Sequence, residues 1–492
     1  MPVLYLDIET TGLDPLSCEL VTLQLMTPSG KVLIIKDPAS LEALRQKLES
    51  NLIVGHNLKF DSKFLKHHYG ITLYHIYDTY LAEIAISGGT LAGKKGASLK
   101  DLVKKYCGVT LDKTEQLGFK KGEALTAEQE RYAANDLKYL PTIMKQQQTQ
   151  IMLKDLENTI DIEMKCLPAV VWMELSGIHV NSERFEAIKA QVQDKCIELE
   201  GLLRQALEAP GTPEDLNLNS PAQVKQALRN MGYEVDSTGK QALAKYKGIP
   251  IFDTLEDYKK TKKLYDGFIK KLPDFINPVT KRIHANFSQY GAASGRFTCK
   301  NPNLQQQPSR FKEWRSIYTA EPGNKIVACD FSQIELRIAG QLAGEEKFID
   351  AYSNGRDLHR RTAAAMFGIP EAEISKDQRN AAKAVNFGLN YGLGSNSLKA
   401  RLKQDTGQDF TVQESKKFIR EFKKLYPKLT EYMEKVSNEG MRTQEAKTVA
   451  GRRFKFVRPE EVTGDKYNEW LSSVGRNSKS WPIQGLCADM LK

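Results

Sequence analysis

The run RNAAKAVNFGLNYG, beginning at Arg379, sets Arg379, Lys383, Phe387 and Tyr391 at strict four-residue spacing. A helix repeats every ~3.6 residues, so these four side chains form one slowly drifting stripe. Ala382, Val385 and Leu389 fall on roughly the opposite side and make an ordinary packing face. The pattern therefore demands a helix that buries one side and keeps the other open. Two cations followed by two aromatic plates are an odd surface to bury.

That helix belongs to a chain of 492 residues, long enough for two to four domains. Hydrophobic residues make up 41%, enough for sizeable cores. No run approaches the ~18 apolar residues of a membrane span. The N-terminus enters an apolar strand without a basic segment and cleavage site, which argues against a signal peptide. Seven scattered cysteines suggest reduced thiols in an intracellular protein. A net charge of +10 suits a phosphate polymer as partner without requiring one. Lysines cluster at Lys259, Lys260, Lys262, Lys263, Lys270 and Lys271, and again in AGKKGASLKDLVKKYCG. Either cluster is equally readable as a solvated helix face.

The first ~150 residues alternate strand and helix signals. VLYLDIE, LVTLQLMT, KVLIIK and NLIVGHN read as strands. LEALRQKLES, SKFLKHHYG and TAEQERYAANDLKYL read as helices, the last opened by a Thr126/Gln129 capping box. Residues 151–275 are mostly helical. Residues 283–330 turn β-rich, with KIVACD a buried strand ending at Asp330. Helices dominate 333–440, and KTVAGRRFKFVRP resembles a hairpin.

Two carboxylate groupings stand out. In a strand, side chains alternate between faces, so Asp7 and Glu9 share one face at the end of VLYLDIE. Asp61 closes GHNLKFD. Asp136 follows Tyr132 by four residues on a helix, which aims hydroxyl and carboxylate the same way. Hard divalent cations such as Mg²⁺ or Mn²⁺ suit such oxygen ligands. Four carboxylates exceed the need of one ion and match a two-metal phosphodiester hydrolase, with Tyr132 placed to orient water. Taken singly, Asp61 is also readable as a helix-start residue and Tyr132 as core. In this order, DIETTG, GHNLKFD and YAAND resemble the three exonuclease motifs of the DEDD superfamily, tyrosine subtype. The resemblance implies 3′→5′ exonuclease chemistry.

The second grouping pairs Asp330 with the stripe. A carboxylate at a strand's C-terminal end can hold metal over a cleft, although Asp is equally favoured as a helix N-cap. DFSQIELRIAG resembles motif A of family A DNA polymerases, and RNAAKAVNFGLNYG resembles their fingers helix. NLNSPAQVKQAL, SGRFTCKNPNLQQQP, DLHRRTAAAMFG and WPIQGLCADMLK agree. The resemblance runs from Met1 to Lys492, with no 5′-nuclease domain in front. It implies an α/β, multidomain (α+β) chain: an N-terminal RNase H-like exonuclease domain, then a right-hand polymerase domain of thumb, palm and fingers. The expected boundaries are 1–150 for the exonuclease, 151–285 for thumb and connecting helices, 286–340 for palm, 341–440 for fingers, and 441–492 for a return to an incomplete palm.

The same resemblance implies the roles. Arg379 and Lys383 grip nucleotide phosphates, and Lys383 donates a proton to the departing pyrophosphate. Phe387 packs on sugar and base, and Tyr391 holds space near the templating base. Glu335 excludes a ribose 2′-OH, Gln333 lines the cleft, and Asp330 binds both metals. Phosphoryl transfer needs mainly positioning and charge neutralisation, which these residue types supply. Arg296, Gln305 and Gln484 resemble minor-groove contacts, where donors test pairing geometry without reading sequence. A surface ion pair for Arg296 and ordinary loop polars for the glutamines remain open. His359 resembles a phosphate-side fingers residue, or is a plain helix-face histidine. The 259–263 lysines fall at the thumb and suit duplex phosphates. The implied partners are primer-template DNA, single-stranded 3′ ends and deoxynucleoside triphosphates (dNTPs). A monomer in a bacterial or phage-infected cytoplasm is expected, with an organelle also open.

One element of the pattern is not found. The family's His-Asp-Glu hairpin should follow WPIQGLCADMLK, and none of the seven histidines precedes Asp-Glu. Without its second acid the polymerase site would be under-coordinated. Truncation, a split enzyme and true loss are the three explanations; the unfinished final helix favours the first. The alternative function is a 3′→5′ exonuclease with a polymerase-like region that only binds DNA. Ser480 stands where the family often has Asn.

Overall fold

The computed structural model describes residues 1–111, 126–308 and 311–492. They form two compact units. One comprises Met1–Leu175, Phe287–Thr298 and Cys329–Lys492; the other comprises Ser176–Asn286 and Cys299–Ala328.

The first unit begins with a five-stranded mixed sheet built from β1 (Val3–Thr10), β2 (Leu20–Met26), β3 (Val32–Ile35), β4 (Leu52–Gly55) and β5 (Ile76–Asp78). Its order is β3-β2-β1-β4-β5. The strands β1, β2 and β3 pair antiparallel, while β4 and β5 add in parallel beyond β1. This is the α/β fold expected of the N-terminal region. Every residue of β2 is buried, as a strand covered on both faces requires. The covering helices are α1 (Pro38–Ser50), α2 (Lys59–Tyr69), α3 (Thr79–Ile86), α4 (Leu99–Cys107), α5 (Ala127–Lys138) and α6 (Leu140–Leu153), and α7 (Glu157–Ser176) follows. The predicted capping box opens α5: Thr126 accepts from the Gln129 N–H, and the Gln129 side chain accepts from the Thr126 N–H.

The second unit packs α8 (Ser182–Ala206), α9 (Pro221–Asn230), α10 (Lys240–Leu243) and α11 (Pro250–Leu264) on a core that includes Leu203, Leu228, Leu255 and Tyr258. The two-residue strands β6 (Ile178–His179) and β7 (Arg282–Ile283) pair antiparallel within it. Two further short strands are β8 (Asn286–Ser288) and β9 (Thr298–Lys300).

The helical remainder of the first unit has its own core. It comprises α12 (Ile334–Ala343), α13 (Glu346–Ser353), α14 (Leu358–Phe367), α15 (Lys376–Asn390), α16 (Ser395–Thr406), α17 (Val412–Leu425), α18 (Pro427–Thr443) and α19 (Asp465–Leu491). Phe348, Val385, Leu398, Phe422 and Tyr426 lie at its centre. The expected hairpin is present as β10 (Glu445–Lys447) and β11 (Arg453–Lys455).

One expected element is overturned. KIVACD is neither a strand nor buried: residues 325–330 are irregular, Val327 is 82% exposed and Ile326 is 55% exposed. An apolar run becomes a buried strand only where a neighbour accepts its backbone hydrogen bonds, and among the described residues no strand pairs with it. The β-rich character read for 283–330 reduces accordingly to β7, β8 and β9.

Candidate active sites

Asp7 and Glu9 stand two residues apart on β1, opposite Gln24 and Thr22 of β2. Parallel pairing of β1 with β4 puts the turn after β4 beside them, and α2 starts from that turn. Asp61 lies in the first turn of α2 and is only 3% exposed. Its carboxyl is held well above the usual range, first by burial and then by the negative charge of Asp7, with Asp78 and Glu9 adding to it. The three predicted acids therefore share one electrostatic neighbourhood. Asp136 is half-buried on α5, which packs on β1 and β2. The Tyr132 side chain lies outside the described residues, although its backbone is in α5.

A fifth acid, which sequence reasoning missed, organises this corner. The buried Asp78 accepts from the backbone N–H groups of Asn57 and Leu58, each at 2.9 Å, and from Tyr80 at 2.8 Å. It thereby clamps the GHNLKFD turn, in which Asn57 takes a left-handed φ of 60°. The sequence carries no local signature of this role, because the bonds to Asn57 and Leu58 span 21 and 20 residues.

Among the described residues, no three ligating side chains converge into a preformed metal cage. The donor set nevertheless fits a hard divalent cation. Its candidate ligands are all oxygen, and such a cation would relieve the repulsion that adds to burial in raising Asp61.

The predicted stripe is real. On α15 every residue from Ala381 to Asn390 is buried except Lys383, which is exposed, and Phe387, which is half-buried. Arg379 is half-buried and Tyr391 is 39% exposed. Arg379 donates from Nε to Asp357 at 2.6 Å. Tyr391 donates its hydroxyl to Glu335, and Arg296 bonds the other oxygen of the same carboxylate. Burial and the Glu335 bond push the Tyr391 hydroxyl up to about 12. Glu335 is thus held between the tyrosine at the end of α15 and Arg296. The ion pair left open for Arg296 is the arrangement found, with the arginine side chain still 47% exposed.

Gln333 adopts a left-handed φ of 53° at the start of α12, and its side-chain oxygen accepts from the Tyr352 hydroxyl at 3.0 Å. Asp330 is exposed on the irregular segment before it, not at a strand end. Its carboxylate makes no hydrogen bond or ion pair among the described residues. His359 is only 2% exposed, so the structure sets it beneath the stripe rather than on it. Its Nδ1 meets the Asn386 amide at 2.8 Å, and burial followed by the Arg379 charge lowers it to about 4. It is a neutral imidazole at ordinary pH. Asp357, Tyr352 and Asn386 escaped the sequence reading because their contacts join separate helices.

The remaining DNA candidates differ in availability. Gln484 is half-buried on α19, and Gln305 is exposed. Of the four candidate lysines, Lys259 donates to the Thr238 carbonyl at 2.6 Å, Lys260 pairs with Glu256 and Asp257, and Lys262 pairs with Asp266. Lys263 is exposed. Two of these four lysines are thus paired with acids, so the charge count overstates the field.

An acid-edged α/β sheet and an open Arg/Lys/aromatic ridge on one chain point to a class of protein built to handle phosphate esters of nucleotides. Comparison with known proteins narrows the class. Residues 182–492 match the model of DNA polymerase family A, and residues 1–152 match that of a 3'-5' exonuclease. The chain is 30% identical to DNA polymerase I of Aquifex aeolicus over all of its length and 83% of that protein. It is 29% identical to DNA polymerase I of Pseudomonas aeruginosa over 99% of its length but 55% of the relative. A solved structure of the POL domain of Pol1 from M. smegmatis, in complex with DNA primer-template and dNTP, superposes with a TM-score of 0.80 at 22% identity. That match covers 99% of this chain and 83% of the other. The chain belongs to DNA polymerase family A and carries a 3'-5' exonuclease region. Polymerase and exonuclease domains of these kinds generally use divalent metals. No described helix is long and apolar enough to cross a membrane, and none of the seven cysteines is in a disulfide.

Proposed function

We propose that the chain is a template-directed DNA polymerase with a proofreading 3′→5′ exonuclease, acting on primer-template DNA, single-stranded 3′ ends and dNTPs. The observation that carries this reading is the open ridge on α15. Ala381, Ala382, Ala384, Val385, Asn386, Gly388, Leu389 and Asn390 are all buried, while Lys383 is left to solvent beside Arg379, Phe387 and Tyr391. A ridge so isolated matches a triphosphate followed by a flat base. The family match over 182–492 favours this reading over an exonuclease whose rear region only binds DNA.

In this reading Arg379 and Lys383 bind phosphates, and Lys383 supplies a proton to the departing pyrophosphate. Phe387 and Tyr391 position sugar and base. The Glu335 carboxylate, fixed between Arg296 and Tyr391, occupies the place a ribose 2′-OH would need. Gln333 lines the cleft, and Arg296, Gln305, Gln484, Lys259, Lys260, Lys262 and Lys263 serve the duplex. His359 acts beneath the ridge. At the front, Asp7, Glu9, Asp61 and Asp136 would hold Mg²⁺ or Mn²⁺, two ions per site, and Tyr132 would orient water; Asp330 would hold the rear ions. Bound there, such ions supply charge neutralisation and an activated oxygen nucleophile. Residues 1–150 form the exonuclease, 151–285 thumb and connecting helices, 286–340 palm, 341–440 fingers and 441–492 a return to palm. The protein works as a monomer in a bacterial or phage-infected cytoplasm.

Primer extension tests this reading. A labelled primer-template incubated with Mg²⁺ and all four dNTPs is expected to lengthen. Shortening alone would support the exonuclease-only alternative, and an unchanged primer would contradict both.

A further inference from the structure

The first turn of α15 meets the first turn of α14 through one ion pair, Arg379 Nε to Asp357 Oδ2 at 2.6 Å. The other oxygen of that carboxylate, Oδ1, caps α14. It accepts the backbone N–H of His359 at 3.0 Å and of Arg360 at 3.2 Å. Asp357 is thus held at three points and has little freedom to follow a moving arginine. Burial opposes its ionisation, but the Arg379 bond and the helix N–H groups prevail and hold its carboxyl below the usual range. The choice of donor matters. A guanidinium gripped at Nε keeps its plane fixed and its two terminal amino groups unused. Among the described residues those two groups have no partner.

We propose that Asp357 is the positioning residue for Arg379, gripping Nε so that the two terminal amino groups stand ready as a fork for two oxygens of the incoming nucleotide's triphosphate. This rests on the polymerase reading and adds to it a residue outside the ridge. A second tie in the same seam, His359 Nδ1 to the Asn386 amide at 2.8 Å, holds α14 against α15 without using any charge on the ridge. This tie does not depend on the ion pair, so Asp357 can be tested apart from the packing of the two helices.

The test is equilibrium binding of the next correct dNTP to the full 492-residue protein on a primer-template ending in a dideoxynucleotide. Asn is a favoured N-cap, so D357N keeps the cap of α14 and loses only the anionic grip. D357N is expected to weaken dNTP binding about tenfold, and to cause no further loss when added to R379A, because both changes break one interaction. Degradation of single-stranded DNA is expected to be unchanged. If D357N does not fold, D357S, which also caps helices, takes its place with the same expectation. Affinity within about twofold of the unaltered protein, tighter binding, or an equal loss on the R379A background would overturn the proposal. Absence of dNTP binding by the unaltered protein would instead overturn the polymerase reading, and the proposal with it.

Discussion

Asp78 shows how a single buried acid is set by its surroundings. Burial raises its carboxyl to about 6 from 3.8, against the pull of the N–H groups of Asn57, Tyr80, Leu81 and Leu58. The sign of the stability effect follows. Below pH ~4 both states are protonated and the group costs nothing. As pH rises towards ~6 the unfolded chain releases the proton first, so stability falls. Above pH ~7 the full cost, on the order of 3 kcal/mol, is present. D78N cannot titrate there. Its stability relative to the unaltered protein is expected to improve by about that amount between pH ~4 and pH ~7, read by urea unfolding. A difference independent of pH would contradict the assignment. The predicted acids Asp7, Glu9 and Asp61 were legible because strand alternation and motif order act locally. Asp78 and Asp357 were not, because each completes a contact made across a fold.

Among elements, regular helices followed their sequence signals closely. The Thr126/Gln129 box opens α5, and Ala382, Val385 and Leu389 bury the predicted face of α15. KIVACD misled because an apolar run reports only what a segment would do beside a partner strand. The crossing of α18 and α19 was equally invisible beforehand and is testable now. A Cβ added at Gly440 would stand 1.9 Å from Ser478 Oγ, and one at Gly475 would stand 2.8 Å from Ser437 Oγ. The two helices approach reciprocally through these small residues. G440A forces them apart, and G475A does so less severely. We expect G440A to cost about 1–3 kcal/mol and to lower Tm by several degrees, with G475A milder. Unchanged thermal unfolding of G440A would refute the close crossing.

At the scale of the molecule, two candidate sites stand on two different cores. The front acids sit on the sheet core with Leu6, Ile53 and Phe64; the ridge sits on the helical core with Phe348, Leu398 and Tyr426. Each site can therefore be silenced alone. The most direct measurement follows a 5′-labelled primer-template with Mg²⁺, with and without the next correct dNTP, for the unaltered protein, D7A and K383A. The unaltered protein is expected to shorten the primer without dNTP and to hold or extend it with dNTP. D7A should shorten it in neither condition, and K383A should shorten it in both. Shortening by D7A, or a dNTP response that survives K383A, would contradict the assignment of cutting to the front acids and nucleotide capture to the ridge.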